Sequence, residues 1–248
     1  MELSLAILAF TALTFLLAGG VKGAIGLGLP TIAMGLLAMA MPPAQAAALL
    51  VVPSFVTNIW QLASGPHLGA LLHRLWPLLL GIVLGTWAGA GLLTADNGMR
   101  ATAALGAALM LYAILGLGAV RFSLPARAEF WLSPLIGAAT GVVTAATGVF
   151  VIPAVPYLQA LGLDKDDLVQ ALGLSFTVST VALAVMLAAE GVLKISLAGV
   201  SLLALAPALI GMYLGQWVRA HTRPEIFRFC FFVALLILGG HLVLRAFF

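Results

Sequence analysis

Charge is what this sequence has least of. Its 248 residues include 11 Lys and Arg and 8 Asp and Glu, 8% of the chain, where a soluble domain carries about 25%. Hydrophobic residues make up 63%, against about 45–50% in soluble domains. A globule of this size cannot cover itself in water with so few polar side chains, so lipid must solvate its exterior. Cysteine is nearly absent too. Cys230 stands alone, which excludes an intramolecular disulfide or a cysteine metal cluster and points to buried packing. The basic residues fall at the ends of apolar runs rather than in a patch or arm, so the net charge of +3 carries no nucleic-acid signal. The start, Met1-Glu2-Leu3-Ser4-Leu5, has no basic n-region, and no A-x-A-like site follows its apolar run. It reads as a retained first span, not a signal peptide.

Several catalytic signatures are also missing. No G-x4-G-K-[ST] loop occurs, so ATP is not the direct energy source, and there is no H-E-x2-H. Gly173-Leu174-Ser175-Phe176-Thr177 lacks the second glycine of G-x-S-x-G, and no carboxylate pair lies in a span. These absences argue against an enzyme and call for no cofactor or metal.

What remains is a series of apolar segments near 3–20, 29–41, 44–65, 75–94 and 99–120, then 130–147, 149–161, 168–189, 195–218 and 226–247. Eight have the roughly 17–25 residues of a transmembrane helix. The segments 29–41 and 149–161 are shorter, about 20 Å at 1.5 Å per residue. A linker at 121–129, with Pro125 and three charges, separates a first repeat, 1–120, from a second, 130–248. The halves resemble one another. Pro77, Gly81, Gly85 and Trp87 reappear as Pro207, Gly211, Gly215 and Trp217 at a constant offset of 130. Gly19 with Gly26, and Gly141 with Gly148, share a seven-residue spacing, each pair leading to a proline, Pro30 or Pro153. The small-x3-small glycines read as helix packing.

If all ten segments cross, Arg74, Arg121, Arg127, Lys165, Arg219, Arg223 and Arg228 share one side and Arg100, Lys194 and Arg245 the other. Re-entry of the two short segments would give five and five, so the positive-inside rule favours ten crossings. Five segments per repeat then make the second half inverted. The expected fold is an all-α polytopic membrane protein of two inverted repeats, 8 full spans plus 2 short or broken helices. Inverted repeats broken at matching places mark secondary transporters, with the site at the break.

The breaks are Gly19-Gly20-Val21-Lys22-Gly23-Ala24-Ile25-Gly26-Leu27-Gly28-Leu29-Pro30 and residues 141–153. Broken backbone at membrane depth is tolerated only inside protein or along a cavity, and a helix starting at Leu29 offers free N–H groups and a positive dipole end to an anion. Lys22 sits within the first break, where a membrane-centre lysine costs about 2.5–3.5 kcal/mol. It either holds an anionic substrate or snorkels to the interface. Substrate contacts are expected from Lys22, from the backbone at Gly26, Leu27, Gly28 and Gly148, and from Asn58, Gln61, Thr147 and Thr177. Ser54, Asn58 and Gln61 share one helix face that cannot look at lipid. Interhelical hydrogen bonding is the competing account of these polar side chains. Gly23, Pro30 and Pro153 are the expected hinges, letting one repeat move against the other. His67, His73 and Arg74 read as a loop, Asp164 to Asp167 as a solvated turn, and His241 lies near the end of the last span.

The run from Gly19 to Pro30, Pro53-Ser54-Phe55-Val56-Thr57-Asn58-Ile59-Trp60-Gln61-Leu62, and the second-half G-x6-G-x4-P at 141–153 resemble the TauE/SafE sulfite-exporter family of bacterial membrane permeases. The resemblance covers nearly the whole chain. It implies transport of small sulfur-containing anions such as sulfite, sulfoacetate or other organosulfonates, as export through the inner membrane, driven by a proton, another ion or the membrane gradient, by a homodimer. Many members carry consecutive glycines in both repeats, whereas here Gly148 is followed by Val149-Phe150-Val151, which shifts weight to Lys22. A passive anion channel, or a carrier of small carboxylates, would fit the same residues.

Overall fold

A computed structural model describes residues 5–95, 98–118, 124–221 and 224–247. The described residues form ten helices and no strand: α1 (Leu5–Ile25), α2 (Leu29–Leu37), α3 (Pro43–Ala63), α4 (Leu68–Ala88), α5 (Met99–Leu117), α6 (Ala126–Thr147), α7 (Ala154–Ala160), α8 (Lys165–Ala189), α9 (Ile195–His221) and α10 (Pro224–Phe247). Eight are long and apolar enough to cross a bilayer, and α2 and α7 have nine and seven residues. The chain is a multi-pass membrane protein. Arg121, Arg223 and the start of the expected linker lie outside the described residues.

Pairing between helices fixes their directions. Gly19 and Gly23 of α1 press on Ala208 and Met212 of α9, so these two run the same way, as do α4 and α6, where Gly81 and Gly85 meet Pro134 and Ala138. By contrast α3 and α8 are antiparallel: Asn58 bonds Thr180 while Gly65, seven residues on, receives Gln170. So are α5 and α10, with Gly106 at Gly239 and Gly116 at Phe232. Lys22 reaches Thr57 and Gly26 reaches Gln61, so α1 and α3 are parallel and α2 carries the chain back between them. Equivalent helices of the two halves therefore point in opposite directions, the inverted arrangement.

The repeated P-x3-G-x3-G-x-W has one structural role in both places. A Cβ on Gly81 or Gly85 would overlap backbone oxygens of α6, and one on Gly211 or Gly215 would overlap those of Leu16 and Gly20 on α1. Such close approach supplies dispersion and Cα–H···O contacts, the main attraction between helices in lipid. The closing tryptophans, Trp87 and Trp217, turn outward. Trp60, Trp76 and Trp131 do so as well. Apart from Trp87 they lie toward one end of the bundle, as an interfacial belt requires.

Three local expectations are corrected. His73 and Arg74 belong to α4, because the apolar run Leu68-Gly69-Ala70-Leu71-Leu72 starts that helix seven residues early. The acidic cluster is not a free turn: α8 begins at Lys165, leaving Asp166 and Asp167 in its first turn, where carboxylates complement the helix dipole. Cys230 is exposed rather than buried; it sits on α10, whose outer surface is apolar enough to accept a thiol facing lipid.

Proline inside α3 illustrates how freed backbone groups are satisfied. Pro53 cannot donate to the Leu49 carbonyl one turn back. The Ser201 hydroxyl of α9 donates to that oxygen at 2.7 Å and accepts from Val52 N–H at 3.2 Å. At the other end of α3, the Gln170 amide of α8 donates to the carbonyls of Leu62 and Gly65 at 2.9 and 2.6 Å and accepts from His67 N–H at 2.9 Å.

Candidate functional site

Lys22 stays helical and lies at the last turn of α1 before the chain breaks at Gly26 to Gly28. It does not snorkel, being only 5% exposed. Its ammonium donates to the Thr57 hydroxyl at 3.1 Å and to the Asn58 side-chain oxygen. Both partners are neutral, and among the described residues no carboxylate pairs with it. An ammonium has three donors, so these two bonds leave one to spare. A buried cation held only by dipoles is incompletely compensated, and an anion alongside would supply what is missing.

Asn58 is itself tied across the molecule, its amide donating to Thr180 Oγ1 at 3.1 Å. Asn58 and Thr180 are 122 residues apart, the offset that separates Gly26 from Gly148. The hydrogen bond thus joins equivalent positions of the two halves, at the axis relating them. The same offset maps Lys22 onto Thr144 and Thr57 onto Ser179. In each half the residue four before the glycine accepts that glycine's N–H, Gly26 to Lys22 at 2.7 Å and Gly148 to Thr144 at 2.8 Å. Around the axis lie Lys22, Asn58 and the hydroxyls of Thr57, Thr144, Ser179 and Thr180, all buried.

The first break is open at Gly26, whereas a Cβ on Gly28 would meet Val21 and Phe231. Gly26 and Gly28 hold φ of 76° and 104°, left-handed values that glycine adopts without strain. Nothing lies near the place where a Cβ on Gly26 would stand. The Gly26 carbonyl accepts from Gln61 at 3.3 Å, and α2 opens without a side-chain cap. Leu27 lies between the glycines, partly buried. At the second break, Thr147 donates to Val143 O at 2.7 Å and accepts from Val149 N–H at 3.1 Å. Gly148 is covered by Met34 and Ala47, and Phe150 packs on Phe176 with ring centroids 5.3 Å apart.

The structure therefore gathers Lys22, Asn58, Gln61 and Gly26 on one side of the axis. Thr177 is less buried, donates to Gly173 O of its own helix at 2.7 Å, and makes no hydrogen bond to this cluster among the described residues. Gly23 is a packing position against α9; Pro30 sits in the first turn of α2 and Pro153 caps α7. Thr57 and Thr180, absent from the expected contacts, bond directly into the cluster, and the 122-residue offset applied to Asn58 would have pointed to Thr180. Buried hydroxyls on Ser54 and Ser175 and the Gln61 side-chain oxygen have no partner among the described residues. Buried polar atoms are seldom left so, and the two hydroxyls can donate to an anion. His241 is exposed on α10 and away from this interior.

A family model described as Sulfite exporter TauE/SafE matches residues 11–242. The chain belongs to the TauE/SafE sulfite exporter family. Its class is that of membrane transporters rather than enzymes, in accord with the missing catalytic motifs. The match spans both breaks and every residue of the Lys22 cluster. No curated protein and no solved structure matches the chain.

Proposed function

We propose that this TauE/SafE protein is a secondary transporter exporting a small sulfur-containing anion, such as sulfite, sulfoacetate or another organosulfonate, across the bacterial inner membrane. The observation that carries this reading is Lys22, buried and bonded to Thr57 and Asn58 with no acidic partner among the described residues. The anion takes the remaining ammonium donor. Backbone at Gly26, Leu27 and Gly28 and the side chains of Asn58 and Gln61 complete the first side; Thr147, Gly148 and Thr177 border the second. Charge-assisted hydrogen bonds from a desolvated ammonium are the strongest available in such a site.

Alternating access follows from helices that break where the substrate binds. Since α1 is packed on α9 and α4 on α6, the moving bodies combine helices of residues 1–120 with helices of 130–248, and Gly26, Pro30 and Pro153 stand at the joints. A gradient of protons or another ion drives the cycle.

The test is uptake of labelled sulfite into proteoliposomes under an imposed pH gradient, native protein against Lys22→Gln. Saturable uptake that the substitution removes, with the variant still folded, supports the reading. Unchanged uptake by Lys22→Gln refutes the site. If the native protein moves no sulfite, sulfonate or carboxylate, the substrate class fails with it.

A further inference from the structure

A separate cavity of about 140 Å³ lies beyond the first break, toward the end of the bundle where α10 begins. Ile25 and Leu27, on either side of Gly26, form part of its wall, and Tyr112 of α5, Gln159 of α7 and Arg228 of α10 also line it. One buried group here lacks a hydrogen-bond partner among the described residues. The Tyr112 hydroxyl is buried with no acceptor or donor among the described residues, on a side chain 3% exposed. Arg228 is exposed on α10 and lies over the Phe232 ring, its guanidinium carbon 5.7 Å from the centroid, and no carboxylate pairs with it among the described residues. Arg245, near the far end of the same helix, is engaged, donating to Met39 O at 2.5 Å.

A planar guanidinium steadied by an aromatic face presents its N–H edge to a ligand, and that edge matches two oxygens of an oxyanion. The phenol can donate one more hydrogen bond, and the Gln159 amide two. We infer that this cavity is a second oxyanion site, built by Arg228, Tyr112 and Gln159 and distinct from the Lys22 cluster. Its occupant is a small free oxyanion, or a lipid headgroup phosphate presenting the same oxygens. The ligand's chemistry does not depend on the Lys22 reading, although an anion held here would stand next to the first break and raise its local concentration there.

The experiment is equilibrium binding of labelled sulfite to the full protein in nanodiscs of zwitterionic lipid, with Lys22→Gln, Arg228→Gln, Arg228→Lys and Tyr112→Phe. A parallel arm uses native mass spectrometry of protein from anionic discs to record retained phosphatidylglycerol. For a free anion, Lys22→Gln leaves a binding component that Arg228→Gln weakens about tenfold, Arg228→Lys less, and Tyr112→Phe by a few-fold. For a headgroup, Arg228→Gln and Tyr112→Phe instead lose retained lipid. Either pattern supports the site. If Arg228→Gln and Tyr112→Phe change neither sulfite binding nor retained lipid, the inference is overturned, whatever Lys22→Gln does. If Lys22→Gln alone is without effect, the transport-site reading fails and this one stands.

Discussion

The two breaks occupy equivalent places and have opposite characters. Each follows a left-handed glycine whose N–H bonds back four residues, to Lys22 in one half and Thr144 in the other. After Gly26 the space beside the backbone is open and Gln61 reaches in; after Gly148 the chain is covered by Met34 and Phe150 is buried against Phe176. Thr147 and Val149 satisfy one another at the second break, and Thr144 bonds its own helix through Thr140 O at 2.7 Å. A symmetric scaffold thus carries asymmetric chemistry. One break has open space and a buried lysine beside it, and the other is packed as core.

Replacing Lys22 by Met should have the largest effect, lowering anion binding at least about a hundredfold, since a buried charged hydrogen-bonding partner is removed. Placing the charge at the matching position, Lys22→Thr with Thr144→Lys, should recover about a tenth of the loss if the axis makes the positions interchangeable; no recovery would mean that the packed break excludes the anion. Phe150→Ala should cost about 3 kcal/mol of stability through the cavity it leaves, measured by thermal unfolding in detergent. A drop in anion affinity as large as that of the Lys22 variant would erase the contrast between the breaks. Ser201→Ala should cost about 1–2 kcal/mol by orphaning the Leu49 carbonyl. Ser175 of α8, which matches Pro53 by the 122-residue offset, keeps its backbone N–H, so the second half needs no such repair. Smallest of all, Arg74→Gln should cost under about 1 kcal/mol, because its pairing with Glu129 at 2.7 and 2.9 Å is exposed to screening.

The architecture was legible because lipid enforces simple rules. Span length, Gly-Pro breaks and the repeated P-x3-G-x3-G-x-W all survive in the chain as linear patterns. Lys22 was legible for the same reason, since a lysine among apolar residues is costly wherever it lies. Its partners were harder to read. Thr57 and Thr180 look like any membrane threonine bonding its own helix, and both do so, to Pro53 O and Phe176 O; only packing α3 along α1 brings Thr57 to the lysine, and only packing α8 antiparallel to α3 brings Thr180 to Asn58. Thr177, chosen for its polarity, differs from Thr180 by less than one helical turn, and in the sequence only the 122-residue offset from Asn58 separates the two. The roles of Gln170 and Ser201 as caps for another helix depend equally on tertiary contacts.

The glycine faces of α1 and α9 also set an order of assembly. Gly19 and Gly23 accept the backbone of α9, which begins at Ile195 and is synthesised long after α1. Until those residues emerge from the ribosome, α1 must wait in the bilayer with its closest-packing face covered only by lipid. Residues 126–147, by contrast, can dock on α4 much sooner. Insertion should therefore yield a long-lived partial bundle centred on α4 and α6, completed only when α9 arrives to close the side that carries Lys22.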